Sequence, residues 1–593
     1  MCGICGEIRW DGQAADVGAV ARMTCEMTSR GPDADGVVAH GPVALGHRRL
    51  SIIDLSARGA QPMVDADLGL SLVFNGCIYN YQELRKQLQA DGYRFFSTAD
   101  SEVVIKAFHK WGANCVERFK GMFAFAIADR DTGELTLARD RLGIKPLYLA
   151  QAPGRLRFAS SVRALLQAGG VDTELDREAL HHYMTFHSVV PAPLTIYRGV
   201  RKLPPATVRV IRPDGSHTKT VYWTPTFGRD PAKASWSDRD WEAALMDALR
   251  TAVKRRMVAD VPVGVLLSGG IDSSIVVALL AEQGQHGLST FSIGFDSSDG
   301  ESGDEYFYSD LIAETFDTDH HKIHIDAARL TPAVPKSIAA MSEPMVSHDC
   351  VAFYLLSAEV SKSVKVVQSG QGADEILAGY SWYPPLANIA REQTTEAYAK
   401  VFFDRSHADV LSIFAPEYGI DGDVSREFAA AHQGAPGADS AVDAALRLDT
   451  QVMLVDDPVK RVDTMTMAWG LEGRVPFLDH DFVELAAACP PELKLASGGK
   501  GVLKDGSRKL LPAEVIDRTK GHFLVPGIRH LHGELLDMVR DALTNDAARA
   551  RALYRAEAVD KLLAEPNRTR TTLGSNVLWQ LAVLEMWLQS MAG

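Results

Sequence analysis

Apolar positions along this chain keep two different rhythms, and the change falls near residue 260. Up to about residue 210 they come in short runs broken by Gly, Asp and Asn. Val43–Leu45, Leu70–Asn75, Phe123–Ala128 and Glu134–Ala138 read as strands, while Tyr81–Asp91 and Ser101–Trp111 carry helical spacing. That mixture predicts stacked antiparallel sheets with helices outside them. The polar stretch Arg212–Ser237, with Pro213, Asp214, Gly215, Pro225 and Pro231, predicts a hairpin running into a linker. A helix is expected from Ser237, with Asp240 as its capping-box partner and Trp241, Leu245, Leu249 and Val253 on one face.

Beyond that point the pattern becomes that of an α/β protein. Val261–Leu267 has no polar side chain, and Pro262 stands near its start, where a strand tolerates it. A glycine turn and the helical Ile275–Glu282 follow, and Phe291–Phe295 and Lys365–Gln368 are further buried strands. Strands alternating with helices predict a parallel sheet covered on both faces. Residues 390–450 read as helical, with a loop at 434–439, and the chain carries no internal repeat. The expected organisation is a first domain over 1–210, a linker over 211–236 and a second domain over 237–593.

Composition narrows the class. A chain of 593 residues is too long for one core. Its 46% hydrophobic and 23% charged residues are ordinary for a globular protein. A net charge of −14 argues against a nucleic-acid partner but leaves anionic small substrates open, because backbone amides and a few cations set the local field of a site. Seven cysteines make no disulfide framework, which points to a reducing, cytoplasmic home. No basic-then-apolar leader opens the sequence, and no apolar run reaches the ~18 residues of a membrane span.

The first candidate chemistry lies at the amino terminus, Met1-Cys-Gly-Ile-Cys-Gly6. Removal of Met1 would give Cys2 both a thiol and a free α-amine. An amine of reference pKa ~7.7–8.0 is partly neutral at pH 7 and can take the thiol proton, so one residue supplies nucleophile and base. The C-x-x-C spacing of Cys2 and Cys5 also permits a redox or metal reading, but no second C-x-x-C completes a zinc site, and Cys5 reads as a small buried residue.

Further segments follow in order: Arg30-Gly-Pro-Asp33, His47-Arg-Arg-Leu-Ser-Ile-Ile-Asp54, Phe74-Asn-Gly76 with Ile78-Tyr-Asn80, Gly121-Met-Phe-Ala-Phe125, and Arg139 to Tyr148. With Cys2 they resemble the class II glutamine amidotransferase domain of the asparagine synthetase family, over about the first 165 residues. The resemblance implies an α+β four-layer αββα domain. It implies that Cys2 attacks glutamine, that Asn75 and the Gly76 N–H stabilise the oxyanion, that Arg49 pairs with the substrate carboxylate and that Asp100 binds its ammonium. Taken alone, Asn75-Gly76 reads as a hairpin turn. One departure stands out: where the family commonly has Glu after the Asn-Gly pair, this chain has Cys77.

A second site is signalled by Ser268-Gly-Gly-Ile-Asp-Ser-Ser274, between an apolar strand and a helix. Glycines let backbone amides approach phosphate oxygens, and a helix start adds positive charge. No Walker lysine is present; taken alone, the segment is a serine-rich helix cap. The pattern resembles the pyrophosphate loop of ATP pyrophosphatases, which release pyrophosphate and form an acyl-adenylate. ATP contacts then fall on Ser268, Gly269, Gly270, Asp272, Ser273, Ser292 and Gly370. An aspartate in an anion site implies Mg²⁺, with Asp272 and Asp374 as ligands. Ser369-Gly-Gln-Gly-Ala-Asp-Glu375 and Leu471-Glu-Gly-Arg-Val-Pro-Phe-Leu-Asp479 match family segments. Arg518-Thr-Lys-Gly-His-Phe523 resembles the segment whose lysine neutralises pyrophosphate, here Lys520. His320, His321 and His324 are discounted as a metal cluster, because neighbours on a strand face opposite ways.

The resemblance therefore implies a synthetase of ATP pyrophosphatase type after the glutaminase. Its partners would be glutamine, ATP and a carboxylate acceptor, with a homodimer as the assembly allowed for. Gln371 stands where asparagine synthetases usually carry an acid. Together with Cys77 and the segment Gly370–Pro385 it looks most like the N-acetylglutaminylglutamine amidotransferase branch. An N-acylated acceptor has no α-ammonium in want of a negative partner. The alternatives are aspartate as acceptor, a synthetase or cyclising enzyme fed by free ammonia, and a scaffold with relic sites.

Overall fold

The structure is a computed structural model that describes residues 2–297, 303–518, 521 and 525–592. The first half holds β1 (Gly3–Arg9), β2 (Ala34–His40), β3 (Val43–Arg49), β4 (Met63–Asp65), β5 (Leu70–Ile78), β6 (Gly121–Asp129), β7 (Leu135–Arg139), β8 (Tyr148–Ala152), β9 (Arg155–Ala159), β10 (Arg201–Lys202), β11 (Thr207–Ile211) and β12 (His217–Val221). They form two antiparallel sheets, β10-β8-β9-β1-β3-β2 and β12-β11-β7-β6-β5-β4. Ile4, Ile8, Val43 and Leu45 of the first sheet meet Val73, Ala124, Ala126 and Leu137 of the second in one core.

Each outer face is covered in turn. Helices Val17–Glu26 and Val162–Gln167 pack on the first sheet around Cys5, Ala44 and Ala159. Helices Tyr81–Ala90 and Asp100–Trp111 pack on the second around Phe74, Phe123 and Phe125. This is the four-layer αββα sandwich. Strands such as β3 and β6 are buried on both faces, which is why they read as apolar runs rather than alternating ones.

The polar stretch after residue 206 forms the β11–β12 hairpin, whose second strand is exposed throughout. The helix Asp238–Arg255 starts on a capping box between Ser237 and Asp240 and buries Trp241, Leu245, Leu249 and Val253, as its spacing predicts.

The second half is built on β13 (Val263–Leu266), β14 (Ser289–Phe295), β15 (Asp319–Ile325), β16 (Val366–Gln368) and β17 (Glu472–Arg474), parallel in the order β15-β14-β13-β16-β17. The strand order turns at β13, with β14 on one side and β16 on the other. The loops leaving the carboxyl ends of β13 and β16 meet there, at the crevice position of an open parallel sheet. The helix after β13 spans Ile271–Glu282, one turn earlier than its apolar run suggests, because Asp272, Ser273 and Ser274 fill its first turn, where acidic and hydroxyl side chains suit the helix start. Residues 390–450 hold the helices Thr394–Phe402, His407–Ile413, Val424–Gly434 and Ala441–Leu448.

The two halves share interior. Leu50 and Ile52 pack on Val263 and Val366, and Cys77, Tyr79, Met122 and Ile144 join the core of β13 and its helix. Buried ion pairs cross the boundary, Arg30 to Asp463 at 2.9 Å and Lys202 to Asp456 at 2.7 Å. No helix among the described residues is long and apolar enough to cross a membrane.

Candidate functional site

Cys2 leads into the central strand of the first sheet and is buried, while β5 carries Asn75 and Gly76 to the same place from the second. Asn75 and Gly76 are interior to β5, paired with Ala124 and Phe123 of β6, so the hairpin-turn reading is excluded. The Cys2 backbone nitrogen lies 3.0 Å from Asn75 Oδ1, which uses the acceptor end of that amide. The donor end, Nδ2, is buried without a hydrogen-bond partner. Leaving such a donor unpaired costs about 1–3 kcal/mol. Gly76 is required by close approach: a Cβ there would lie 2.1 Å from the Met122 carbonyl oxygen.

Cys2 and Gly76 line a cavity together with Arg49, Cys77, Asp100, Glu472 and Arg474. Arg49 is held in place by the Ser56 carbonyl at 2.9 Å and by the Asp54 carbonyl. Asp100 begins its helix and accepts the Ile78 N–H at 3.0 Å; burial pushes its carboxyl up to about 6. Burial also pushes the Cys2 thiol up, so the thiolate needs a base. His47 is not that base: its Nε2 lies 3.2 Å from the Phe74 carbonyl oxygen, and burial takes the ring down to about 3. Cys5 lies fully buried beside Thr24 at 3.3 Å, and neither Cys2 nor Cys5 is in a disulfide. Three residues apart on extended chain, the two thiols face opposite ways.

At the crevice of the parallel sheet, Ser268 to Ser274 form a closed turn. Ser268 Oγ lies 3.1 Å from Ser273 Oγ, and Ser273 Oγ donates to the Gly270 carbonyl at 3.1 Å. Gly269 has φ +74°, and a Cβ there would lie 2.6 Å from Tyr308 Cβ. Gly370 closes on the same turn, since its Cβ would lie 2.8 Å from the Ser273 nitrogen. The Ser292 hydroxyl is turned back onto the Leu267 carbonyl, which ties β14 to the end of β13.

Asp272 and Asp374 are brought together by Lys500, whose Nζ lies 2.8 Å from one and 2.9 Å from the other. The motifs alone do not reveal Lys500; its sequence trace is the glycine cluster Ser497-Gly-Gly-Lys-Gly501, in which Lys500 itself adopts the left-handed conformation (φ +57°). Two hard carboxylates are donors that Mg²⁺ takes, so the residues fit the ion in kind, although Lys500 bonds both and would share them with it. Arg518 donates to the Gly269 carbonyl at 3.2 Å, and Lys520 lies outside the described residues. His320, His321 and His324 go to separate partners, Thr290, Asp319 and Asp296. Asp479, His480 and Asp481 do gather, but Arg255, Arg256 and Lys120 already take the carboxylates.

The two sites are physically joined through β17. Glu472 and Arg474 line the cavity at Cys2, while the Arg474 carbonyl accepts the Ser369 N–H at 2.8 Å at the start of the loop that carries Gly370 and Asp374.

A sandwich with an amino-terminal thiol beside an unpaired amide donor, joined to a glycine loop on a parallel sheet, defines an amidotransferase coupled to a nucleotide-using half. Residues 1–223 match the glutamine amidotransferase domain family and residues 244–589 match the asparagine synthase family. A chain of Mycobacterium tuberculosis, provisionally named a glutamine-hydrolysing asparagine synthetase, is 33% identical over 99% of this chain and 97% of its own. Asparagine synthetase [glutamine-hydrolyzing] 1 of Bacillus subtilis is 30% identical over 99% of this chain and 96% of its own. An amidase of Penicillium rubens is 26% identical over 84% and 83%. This chain belongs to the asparagine synthetase family, the glutamine-dependent, ATP-using amidotransferases.

Proposed function

We propose that the chain moves the amide nitrogen of glutamine onto a carboxylate that it first adenylates with ATP, and that the acceptor is the terminal carboxylate of N-acetylglutaminylglutamine. The observation that carries the glutaminase half is Asn75 Nδ2, buried and unpaired beside Cys2. The Cys2 sulfur adds to the glutamine carbonyl, and Asn75 Nδ2 and the Gly76 N–H receive the oxyanion. Ammonia leaves as the thioester forms, and water then releases glutamate. Arg49 holds the substrate carboxylate.

In the second half, residues 268–274 and Gly370 cradle the phosphates, with Lys520 for the departing pyrophosphate. Asp272 and Asp374 would hold Mg²⁺, which supplies positive charge against the phosphates. Ammonia attacks the acyl-adenylate, forming the amide and releasing AMP. A cavity between the halves, lined by Ile144, Tyr148, Lys202, Asp456 and Asp463, is the route we assign to the ammonia. Residues 1–210 and 237–593 would carry one half-reaction each.

The acceptor rests on Gln371 and Cys77. A neutral Gln371 offers nothing to the α-ammonium of free aspartate and costs an N-acylated acceptor less. Aspartate is the second reading, favoured by the names of the bacterial relatives. Purified protein given ATP, glutamine and either acceptor decides between them, by mass spectrometry of the amide and by detection of AMP. Formation of asparagine alone, or of ADP in place of AMP, overturns the proposal.

A further inference from the structure

We propose that Glu472, carried on β17 of the nucleotide-using half, binds the α-ammonium of glutamine in the cavity at Cys2, taking the role for which Cys77 has no charge. The inference rests on the glutaminase reading of that cavity.

The charged groups lining the cavity are Arg49, Arg474, Asp100 and Glu472. Glutamine is a zwitterion, so it needs one anchor of each sign. On the cationic side, Arg474 is committed at Nε and Nη1, and its Nη2 lies against the Cys77 sulfur. Its Nε donates to Glu472 Oε1 at 2.6 Å, and its Nη1 donates to the Arg256 and Val258 carbonyls at 2.7 and 2.8 Å. It is a clamp for Glu472, and Arg49 is left for the carboxylate.

On the anionic side the two carboxylates differ. Asp100 is held near 6 by burial. Glu472 is equally buried, but the positive charge of the chain's amino terminus, and after it Arg474 and Lys145, outweighs burial and takes it down to about 2. Glu472 is therefore the permanently charged anchor, and Asp100 the one that weakens near its own pKa. Cys77 Sγ stands 3.8 Å from Arg474 Nη2, so β5 brings a neutral thiol to the neighbourhood where β17 brings a carboxylate. β17 is fixed by its pairing with β16, Glu472 opposite Val366, so the charge comes from the partner half of the molecule.

The test uses the full chain and its glutaminase activity. Glu472→Gln is expected to raise the KM for glutamine about 10- to 100-fold, the loss of one charge-assisted contact, with kcat changed by less than about 3-fold. For 4-carbamoylbutanoate, which is glutamine without its α-amino group, KM should be the same in both proteins. Because Glu472→Gln disturbs Arg474, two double variants separate charge from packing. C77E/E472Q should bring KM back to within about 5-fold of wild type, and C77Q/E472Q, of the same shape but uncharged, should not. An unchanged KM in Glu472→Gln, an equal loss with the amine-free substrate, or equal behaviour of the two double variants overturns the inference. A wild-type protein that releases no ammonia from glutamine would instead overturn the glutaminase reading itself.

Discussion

Arg30 and Asp463 form a buried ion pair of 2.9 Å across the boundary between the two halves, and the same guanidinium donates from Nε to the Cys2 carbonyl oxygen at 3.3 Å. The strand end that carries Cys2 is thus pinned by an acid from the other half. Lys145 approaches the same carboxylate at 3.3 Å. Removing one partner of a buried pair costs about 3–5 kcal/mol when the other is left uncompensated. Arg30→Met leaves Asp463 with Lys145, whereas Asp463→Asn strands two cations. Both variants should unfold at lower denaturant than wild type, Asp463→Asn the lower of the two. A reversed order in a denaturant series would show that Asp463 does not organise this interface.

Cys2→Ala should abolish amide synthesis from glutamine while synthesis driven by ammonium salt continues, since the nucleotide crevice does not contain Cys2. Asn75→Ala should lower glutaminase kcat about 10²- to 10³-fold with a smaller change in KM, as expected for a donor used only by the oxyanion. Steady-state kinetics with both nitrogen sources check this pair. Retained glutamine-driven synthesis in Cys2→Ala would remove the thiol from the mechanism.

The elements of this chain are written locally, and what is not written locally is which distant segments meet. Ser237 and Asp240 announce a helix start because a capping box needs only four residues. The loop 268–274 is legible because the strand, the glycines and the helix that shape it are contiguous. Asn75-Gly76 misleads on local grounds, since the pair favours turns, and only its pairing with β6 shows a strand interior. Lys500 reaches Asp272 across 228 residues of chain. Glu472 and Arg474 enter the cavity at Cys2 from another sheet. No periodicity encodes such meetings: Lys500 meets Asp272 through the folding of the second half, and Glu472 and Arg474 meet Cys2 through the docking of the two halves.

Glutamine binding should depend on pH through Asp100. Burial raises its carboxyl from an ordinary value near 3.8 to about 6. A raised carboxyl binds its proton more tightly in the folded protein, so the stability linked to that proton is full below about 4 and is lost as pH rises through about 6. Binding runs the other way, because an ammonium is attracted only by the ionised form. The KM for glutamine should therefore fall as pH is raised from about 5 to 7, with an inflection near 6, and Asp100→Asn should flatten the curve at high KM. An inflection that survives in Asp100→Asn would place the titration on another group.

Lys500 makes the last prediction, and its two effects have opposite signs. Its ammonium stands between Asp272 and Asp374 and neutralises part of their charge. Lys500→Met takes away the ammonium that the two carboxylates share, and the loss of a charge partner at short range is costly. In EDTA the variant should melt below wild type. Added Mg²⁺ should then stabilise it at lower concentration than wild type, because no ammonium competes for the carboxylates. Turnover moves the other way: a cation that the nucleotide crevice uses is gone, and ATP–pyrophosphate exchange should fall at least about 100-fold. Thermal melts across a Mg²⁺ series and the exchange assay read the two effects separately. If the variant melted like wild type in EDTA and showed no gain from Mg²⁺, Asp272 and Asp374 would not constitute an ion site, and the placement of Mg²⁺ in this crevice would fail with them.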